Sequence, residues 1–143
     1  MEDYKYTGKT FDVYTHQGRN HTYNMIRPRE SKIKSLEAVS FNEELENYFK
    51  GEEIFKKVAE FEFGGIVYAG LDFSNVTFID SIGMSSLLKF KQAIEEYNLS
   101  REIGSIDNTR YNLNIVDCPK KTYDLFELMH IEHIFRFTTK KRL

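Results

Sequence analysis

The sequence predicts an α/β domain, and three patterns along the chain predict it. Residues 10–16 and 21–27 are strand-like runs, the first of them alternating, and the polar residues between them indicate a β-hairpin. Residues 66–71 form a nearly continuous apolar run, which is typical of a strand covered on both faces. From Met84 onward the apolar residues recur at helical spacing. Strands and amphipathic helices therefore share one chain.

Length and composition limit the class of protein. With 143 residues, 41% of them hydrophobic, we expect one core and a single domain over residues 1–143. Twenty Lys and Arg stand against 22 Asp and Glu, so the net charge of -2 does not favour nucleic acid as a partner. The sequence shows neither a membrane-length apolar run nor a signal peptide, so we expect a cytoplasmic protein without direct membrane insertion.

The N-terminal half is predicted to contain the hairpin, a solvated connection and a helix. Pro28 should end the second strand, because it has no N–H to donate, and the charged residues 29–39 indicate the connection. Ser40 and Glu43 fit a capping box, which predicts a helix start there. The helix has an apolar, largely aromatic stripe that we expect in the core, and Gly51 predicts a break or kink. The stripe comprises Phe41, Leu45, Tyr48 and Phe49.

The C-terminal half is predicted to hold the remaining strands and helices. Gly64 and Gly65 should separate the first helix from the strand at residues 66–71. Residues 98–110 read as a loop, and residues 111–118 as a strand containing Cys118, the sole cysteine. Pro119 suits the first position of another helix. A last apolar segment ends before a basic tail, which we expect only to keep the chain end soluble.

The strand signal gives way to a helix at residues 80–83, directly after the short apolar step of Phe78 and Ile79. A helix start carries free backbone N–H groups and a partial positive charge. A serine there can cap the helix, or it can carry a phosphate that those groups would receive well. Ser81 lies at this position.

Residues 72–84, DFSNVTFIDSIGM, resemble the central motif of STAS domains, the sulfate-transporter and anti-sigma-factor-antagonist family, in which D-L-S-x-V-x-F-I-D-S-x-G-L opens the second helix. Residues 113–117 resemble the next strand of that family, and residues 126–135 its closing pattern L-E-L-x-G-L-x-x-V-F. The resemblance covers residues 60–138. It implies a STAS fold, with a mixed four- to five-stranded β-sheet and helices packed mainly on one face. We also expect flexible ends at residues 1–9 and 139–143.

The resemblance also implies a regulatory protein that binds a kinase-type anti-sigma factor or a related partner, with a serine kinase and a phosphatase setting its phosphorylation. In anti-sigma factor antagonists the accepting serine immediately precedes the glycine, and Ile82 stands there in this chain. In related stressosome proteins the acceptor directly follows the aspartate, which makes Ser81 the candidate and Ser85 and Ser86 weaker ones. The implied partner-binding residues are Asp80, Ser81, Ile82, Gly83, Met84 and Ser85.

The sequence lacks a recognisable catalytic motif, such as a P-loop, G-x-G-x-x-G, paired cysteines or G-x-S-x-G. His130 and His133 lack a convincing third ligand, so we expect no enzyme activity, cofactor or metal. Two alternatives stay open beside the switch. One is a constitutive accessory or scaffold subunit, of a lipid transporter or a stressosome-like assembly, in which Ser81 only caps its helix. The other is a small-ligand sensor with the N-terminal aromatics lining a pocket. A homodimer is also compatible with the sequence.

Overall fold

A computed structural model describes residues 3–19, 22–49, 69–100 and 113–143. Within these ranges strands and helices follow one another along the chain, with short 3-10 turns at Glu132–Ile134 and Lys140–Arg142. The elements are β1 (Asp3–Thr7), β2 (Phe11–Gln17), β3 (Thr22–Pro28), β4 (Lys32–Ile33), α1 (Ser35–Phe49), β5 (Ala69–Asp72), β6 (Phe78–Ile79), α2 (Ser81–Ser100), β7 (Leu113–Val116), α3 (Lys120–Leu128) and β8 (Arg136–Thr138).

The main sheet has six strands in the order β1-β2-β3-β5-β7-β8. β1, β2 and β3 pair antiparallel, as the predicted hairpin requires, whereas β3, β5, β7 and β8 pair parallel. A helix precedes each of β5, β7 and β8 along the chain, because two parallel strands need a long connection between them. A second, two-stranded parallel sheet pairs β4 with β6. The predicted mixed α/β architecture is therefore confirmed, with six strands in the main sheet where four to five were expected.

The two faces of the main sheet are covered differently. One face packs against α1, α2 and α3 in one large cluster, which includes Phe11, Leu71 and Ile115 from the strands. Because side chains alternate along a strand, the neighbouring residues point to the opposite face. A smaller buried cluster forms there from Tyr14, Tyr23, Met25, Val116 and Leu143. The three helices that the structure describes therefore pack on the same face.

The N-terminal aromatic residues pack against one another in the core. The ring of Phe11 meets Phe41 edge-on at 5.8 Å and Tyr48 at 5.7 Å between centroids, and both phenylalanines are buried. Beside them, the Glu44 carboxylate on α1 accepts hydrogen bonds from the Tyr6 hydroxyl at 2.5 Å and the Thr10 backbone N–H at 2.6 Å. Glu44 thereby ties the β1–β2 turn to α1. Phe11, Phe41 and Tyr48 thus pack against one another, as expected for an aromatic stripe in the core.

Several predicted boundaries need correction. Helix α1 begins at Ser35 instead of Ser40, and β4 lies within the expected connection. Only two buried apolar residues, Ile33 and Ala38, mark this stretch among charged ones, which is too few to show a period. Residues 98–100 complete α2, and Pro119 is the N-cap of α3, one residue before the helix. The predicted break at Gly51, the glycines at 64 and 65 and the loop at 101–110 lie outside the described residues.

Both end segments, which were expected to be flexible, contribute residues to the sheet or to its packing. Asp3–Thr7 pairs with β2 as the edge strand β1. At the other end, Leu143 is 6% exposed and belongs to the smaller cluster, on the face opposite α1, α2 and α3. Its carbonyl oxygen accepts a hydrogen bond from the Arg19 N–H at 2.6 Å, so the last residues cross the sheet and meet the β2–β3 turn. The basic tail is therefore part of the packing.

A buried carboxylate joins this tail to the sheet. Asp72 ends β5 and is 1% exposed. Its Oδ2 accepts hydrogen bonds from the Tyr14 hydroxyl at 2.5 Å and the Arg27 Nε at 3.1 Å, and it lies 3.4 Å from the Lys140 Nζ. Its Oδ1 accepts the Ser74 hydroxyl at 2.7 Å. Burial opposes ionisation, but the hydrogen bonds from Tyr14 and Ser74 and the Lys140 charge outweigh it and hold the pKa of Asp72 at about 2.

The depressed pKa of Asp72 makes stability depend on acid pH. Because the folded pKa is about 2 and the ordinary value is 3.8, the contribution is present above pH 4 and is lost as pH falls towards 2. The expected loss is roughly 2 kcal/mol in the free energy of unfolding. Asp72→Asn should lower stability at neutral pH by about 3 kcal/mol, since Arg27 and Lys140 lose their buried counter-charge.

Urea unfolding of the wild-type protein and of Asp72→Asn, at pH 7 and at pH 3, measures these free energies of unfolding. Asp72→Asn should have the flatter acid profile, whereas the control Asp124→Asn, in an exposed ion pair with Lys120, should follow the wild-type protein. An acid profile that Asp72→Asn leaves unchanged would show that other groups cause the acid sensitivity.

Leu143→Ala tests the packing of the tail. Because Leu143 is buried against Tyr14 and Tyr23, the truncation should lower the free energy of unfolding by about 2 kcal/mol, the lower end of the range for a core leucine. Lys141→Ala, on an exposed neighbour in the same segment, should change it by less than about 0.5 kcal/mol. If thermal or urea unfolding showed equally small effects for Leu143→Ala and Lys141→Ala, the tail would only keep the chain end soluble.

Candidate functional site

The start of α2 is built by Asp80. Its Oδ1 accepts the Gly83 backbone N–H at 2.9 Å, and its carbonyl oxygen accepts the Met84 N–H at 2.9 Å. These are the bonds of an N-cap residue, so Asp80 caps the helix and Ser81 is its first residue. The sequence left capping by Ser81 open, and the structure assigns that role to Asp80.

Asp80 also joins α2 to the start of α1. Its Oδ2 accepts the Ser35 N–H at 2.8 Å, and its own N–H donates to the Ile33 carbonyl at 3.1 Å. Ser35 adopts a left-handed backbone conformation with φ of 50°, which turns the chain from β4 directly into α1. Because β4 and β6 run parallel, the first turns of α1 and α2 lie side by side.

Gly83 allows this close approach. A Cβ atom at this position would lie 2.7 Å from the Ile79 Cγ1 and 2.9 Å from the Ile33 carbonyl oxygen, both of which are too close. The missing side chain therefore lets α2 pack on β4 and β6. Gly83 was among the expected partner-binding residues, but the backbone that approaches it in the structure belongs to β4.

The adjacent first turns expose a mixed apolar and hydroxyl surface. Ile82 is 46% exposed, and on α1 the side chain of Leu36 is 80% exposed and that of Val39 42%. Ser81 and Ser85 are also exposed, whereas Gly83 and Met84 are buried. We call Leu36, Val39, Ser81, Ile82 and Ser85 the two-helix patch.

Leu36 and Val39 were missed from the sequence because residues 29–39 were interpreted as a connection. Both are exposed and lie off the buried stripe of Ala38, Phe41 and Leu45, so the apolar pattern of the helix does not include them. Of the six residues expected to bind a partner, the structure therefore places Ser81, Ile82 and Ser85 on the surface, with Asp80 partly exposed between the helices.

The serines around the site differ in their availability. Ser86 is buried and its hydroxyl donates to the Ile82 carbonyl at 3.1 Å, and the Ser74 hydroxyl donates to Asp72. The Ser81 hydroxyl has no hydrogen-bond partner among the residues that the structure describes. Ser81 and Ser85 are therefore the two serines of α2's first turns that an enzyme can reach directly.

Other chemistry is limited within the described ranges. They contain no group of three His, Cys, Asp or Glu residues placed to hold a metal ion, and His133 is exposed. Burial raises the pKa of the Cys118 thiol to about 12, which keeps it protonated at neutral pH. None of the described helices has the length and apolar character needed to cross a membrane.

Gly83→Ala tests the packing of α2 on β4. Alanine normally favours a helix over glycine by about 1 kcal/mol. Here the added methyl group should clash with Ile33 and Ile79, and overpacking of this kind lowers the free energy of unfolding by about 1–3 kcal/mol. Ser85→Ala, at an exposed position of the same helix, should be neutral or slightly stabilising. A Gly83→Ala protein more stable than wild type in thermal unfolding would contradict the close approach.

Comparison with known proteins leaves the family open. The chain matches no protein-family model and no curated protein.

Proposed function

We propose that this chain is a non-enzymatic regulatory protein of the STAS type, which binds a protein partner through the two-helix patch and is switched by phosphorylation of Ser81. The partner would be a kinase-type anti-sigma factor or a related signalling protein. The resemblance of residues 72–84 to the STAS motif supports this proposal. The single observation that carries it is the position of Ser81, which is exposed and makes no hydrogen bond among the described residues, next to the exposed Ile82 and at a helix start joined to that of α1.

The apolar part of the patch favours protein binding. Leu36, Val39 and Ile82 stand on two first turns that Asp80 and the β4–β6 pair hold together, so little ordering is needed on binding. Exposed apolar side chains that cluster on a rigid support are typical of a protein-binding surface. Ile82 lies next to Ser81, where a partner's contact and the modification would coincide.

Phosphorylation at this position would change binding without unfolding the domain. A phosphate on Ser81 brings nearly two negative charges, and it would sit at the N-terminal ends of both α1 and α2, which attract anions. The same charge lies next to the Asp80 carboxylate and among the apolar side chains that a partner would cover. A loss of only about 3 kcal/mol there weakens binding roughly a hundredfold.

An unmodified, permanently bound subunit is the second candidate. It uses the same patch, since constitutive docking also requires the exposed Leu36, Val39 and Ile82. The two candidates differ only in the state of Ser81. Co-purification with a membrane ATPase and an unmodified Ser81 would favour the accessory subunit.

Ile82→Asp tests the patch. Because Ile82 is half exposed, the variant should keep its fold, and its charge should weaken partner retention from a native-cell lysate on the immobilised chain more than tenfold. Leu128→Asp is the matched control, since Leu128 is 72% exposed at the far end of α3. A partner retained equally by wild type and Ile82→Asp would exclude the patch as the interface.

Mapping phosphate on protein from its native cells tests the switch. The tryptic peptide of residues 58–89 contains Ser74, Ser81, Ser85 and Ser86. We expect phosphate on Ser81, whose hydroxyl is accessible, and none on Ser86, which is buried. If mass spectrometry finds this peptide unmodified across growth and stress conditions, the phosphorylation switch is excluded and the permanently bound subunit becomes the better proposal.

A further inference from the structure

A second candidate site lies at the carboxyl ends of β7 and β8. There the start of α3 and the short turn Lys140–Arg142 enclose an open cavity of about 510 Å³. This volume falls within the range of about 300–1,000 Å³ that is usual for small-molecule sites. The cavity opens beyond the carboxyl ends of these two parallel strands.

The rim of the cavity carries positive charge. Lys120 and Arg142 both line it, and Asp117 is the acidic residue among the lining side chains. One Asp117 oxygen already accepts the Lys140 backbone N–H, at 3.4 Å. Lys120 pairs with Asp124 at 3.0 Å, but both side chains are at least half exposed, so the pair is weak and easily exchanged. An anion in the cavity therefore has two cationic partners within reach.

Arg142 is held at the cavity by its neighbours on both sides. Two residues before it, the Lys140 ammonium reaches the buried Asp72 carboxylate at 3.4 Å, and directly after it Leu143 is buried on the sheet. The Arg142 N–H donates to the Thr139 carbonyl at 3.0 Å, which closes the turn. A cation on a segment anchored at both ends loses little freedom when it binds an anion.

The cavity also has an aromatic wall. The rings of Tyr123 and Phe137 meet edge-on, with centroids 4.8 Å apart and planes at 87°. Phe137 in turn packs on the buried Phe126 at 5.3 Å, so the wall is fixed to the core. A planar apolar group would lie well against such a wall.

We propose that this cavity binds a small organic phosphate that carries a planar apolar group. Arg142 and Lys120 would hold the phosphate, since guanidinium and ammonium groups form charge-assisted hydrogen bonds with phosphate oxygens. Tyr123 would contact the planar group. The site is separate in its residues from the two-helix patch, so it does not rest on the function proposed above.

Phenyl phosphate is the probe for this site. Titration of the ¹⁵N-labelled full chain should give saturable amide shifts confined to residues around 117–123 and 137–142. Arg142→Gln should weaken the binding about tenfold, the effect of one charge-assisted hydrogen bond, and Tyr123→Leu should also weaken it. Lys121→Gln, the matched control on an exposed lysine next to Lys120, should change it less than twofold, and inorganic phosphate should bind more weakly than phenyl phosphate.

Three results would overturn the proposal. One is the absence of saturation up to about 10 mM probe, a concentration that would nearly fill a site of millimolar affinity. Another is equal binding of inorganic phosphate and phenyl phosphate, which would show only attraction of an anion to a basic surface. The third is equal binding by wild type and Arg142→Gln. Partner retention through Ile82 is measured separately, so the two proposals can fail independently.

Discussion

The Asp72 carboxylate lies almost fully buried at the end of β5, in the middle of the main sheet. An unpaired charge at such a place costs several kcal/mol, so the fold depends on bringing donors to it. Tyr14 lies 58 residues away in the chain and Arg27 lies 45 away, and Lys140 comes from the tail. This one carboxylate therefore links the hairpin, the central strand and the C-terminal segment. Its ion pair with Lys140 holds that segment on the sheet.

Two further carboxylates join elements in the same way. Glu44 connects α1 to the β1–β2 turn, and Asp80 connects the starts of α1 and α2. Each accepts backbone N–H groups that would otherwise lie unpaired at a turn or a helix end. For the proposed partner surface, Asp80 matters most, because it sets the spacing at which Leu36 and Ile82 are presented. The geometry of the surface is thus fixed by residues that a partner need not contact.

The sequence predicted the elements whose own residues carry a clear pattern, whether a period, a continuous apolar run or a helix-start residue. The hairpin, the strand ending at Asp72, α2 and α3 all show such a pattern and were found. The start of α1 was not, because Ile33 and Ala38 are single buried residues among charged ones. Asp80 and Ser81 are both good capping residues, so composition could not choose between them. The role of Lys140 and Leu143 was missed because it arises only from contacts with residues far away in the chain.

The contact between the Leu143 carbonyl and the Arg19 N–H has a consequence for the order of folding. A β-hairpin forms from local contacts, so β2 and β3 can pair early, with Tyr14 and Tyr23 on the side opposite α1, α2 and α3. Leu143, which completes the buried cluster around those rings, comes from the C-terminal segment. Until it arrives, an aromatic sheet surface stays uncovered, which is the state in which chains associate wrongly. Docking of the C-terminal segment is therefore also the step that buries this aromatic surface.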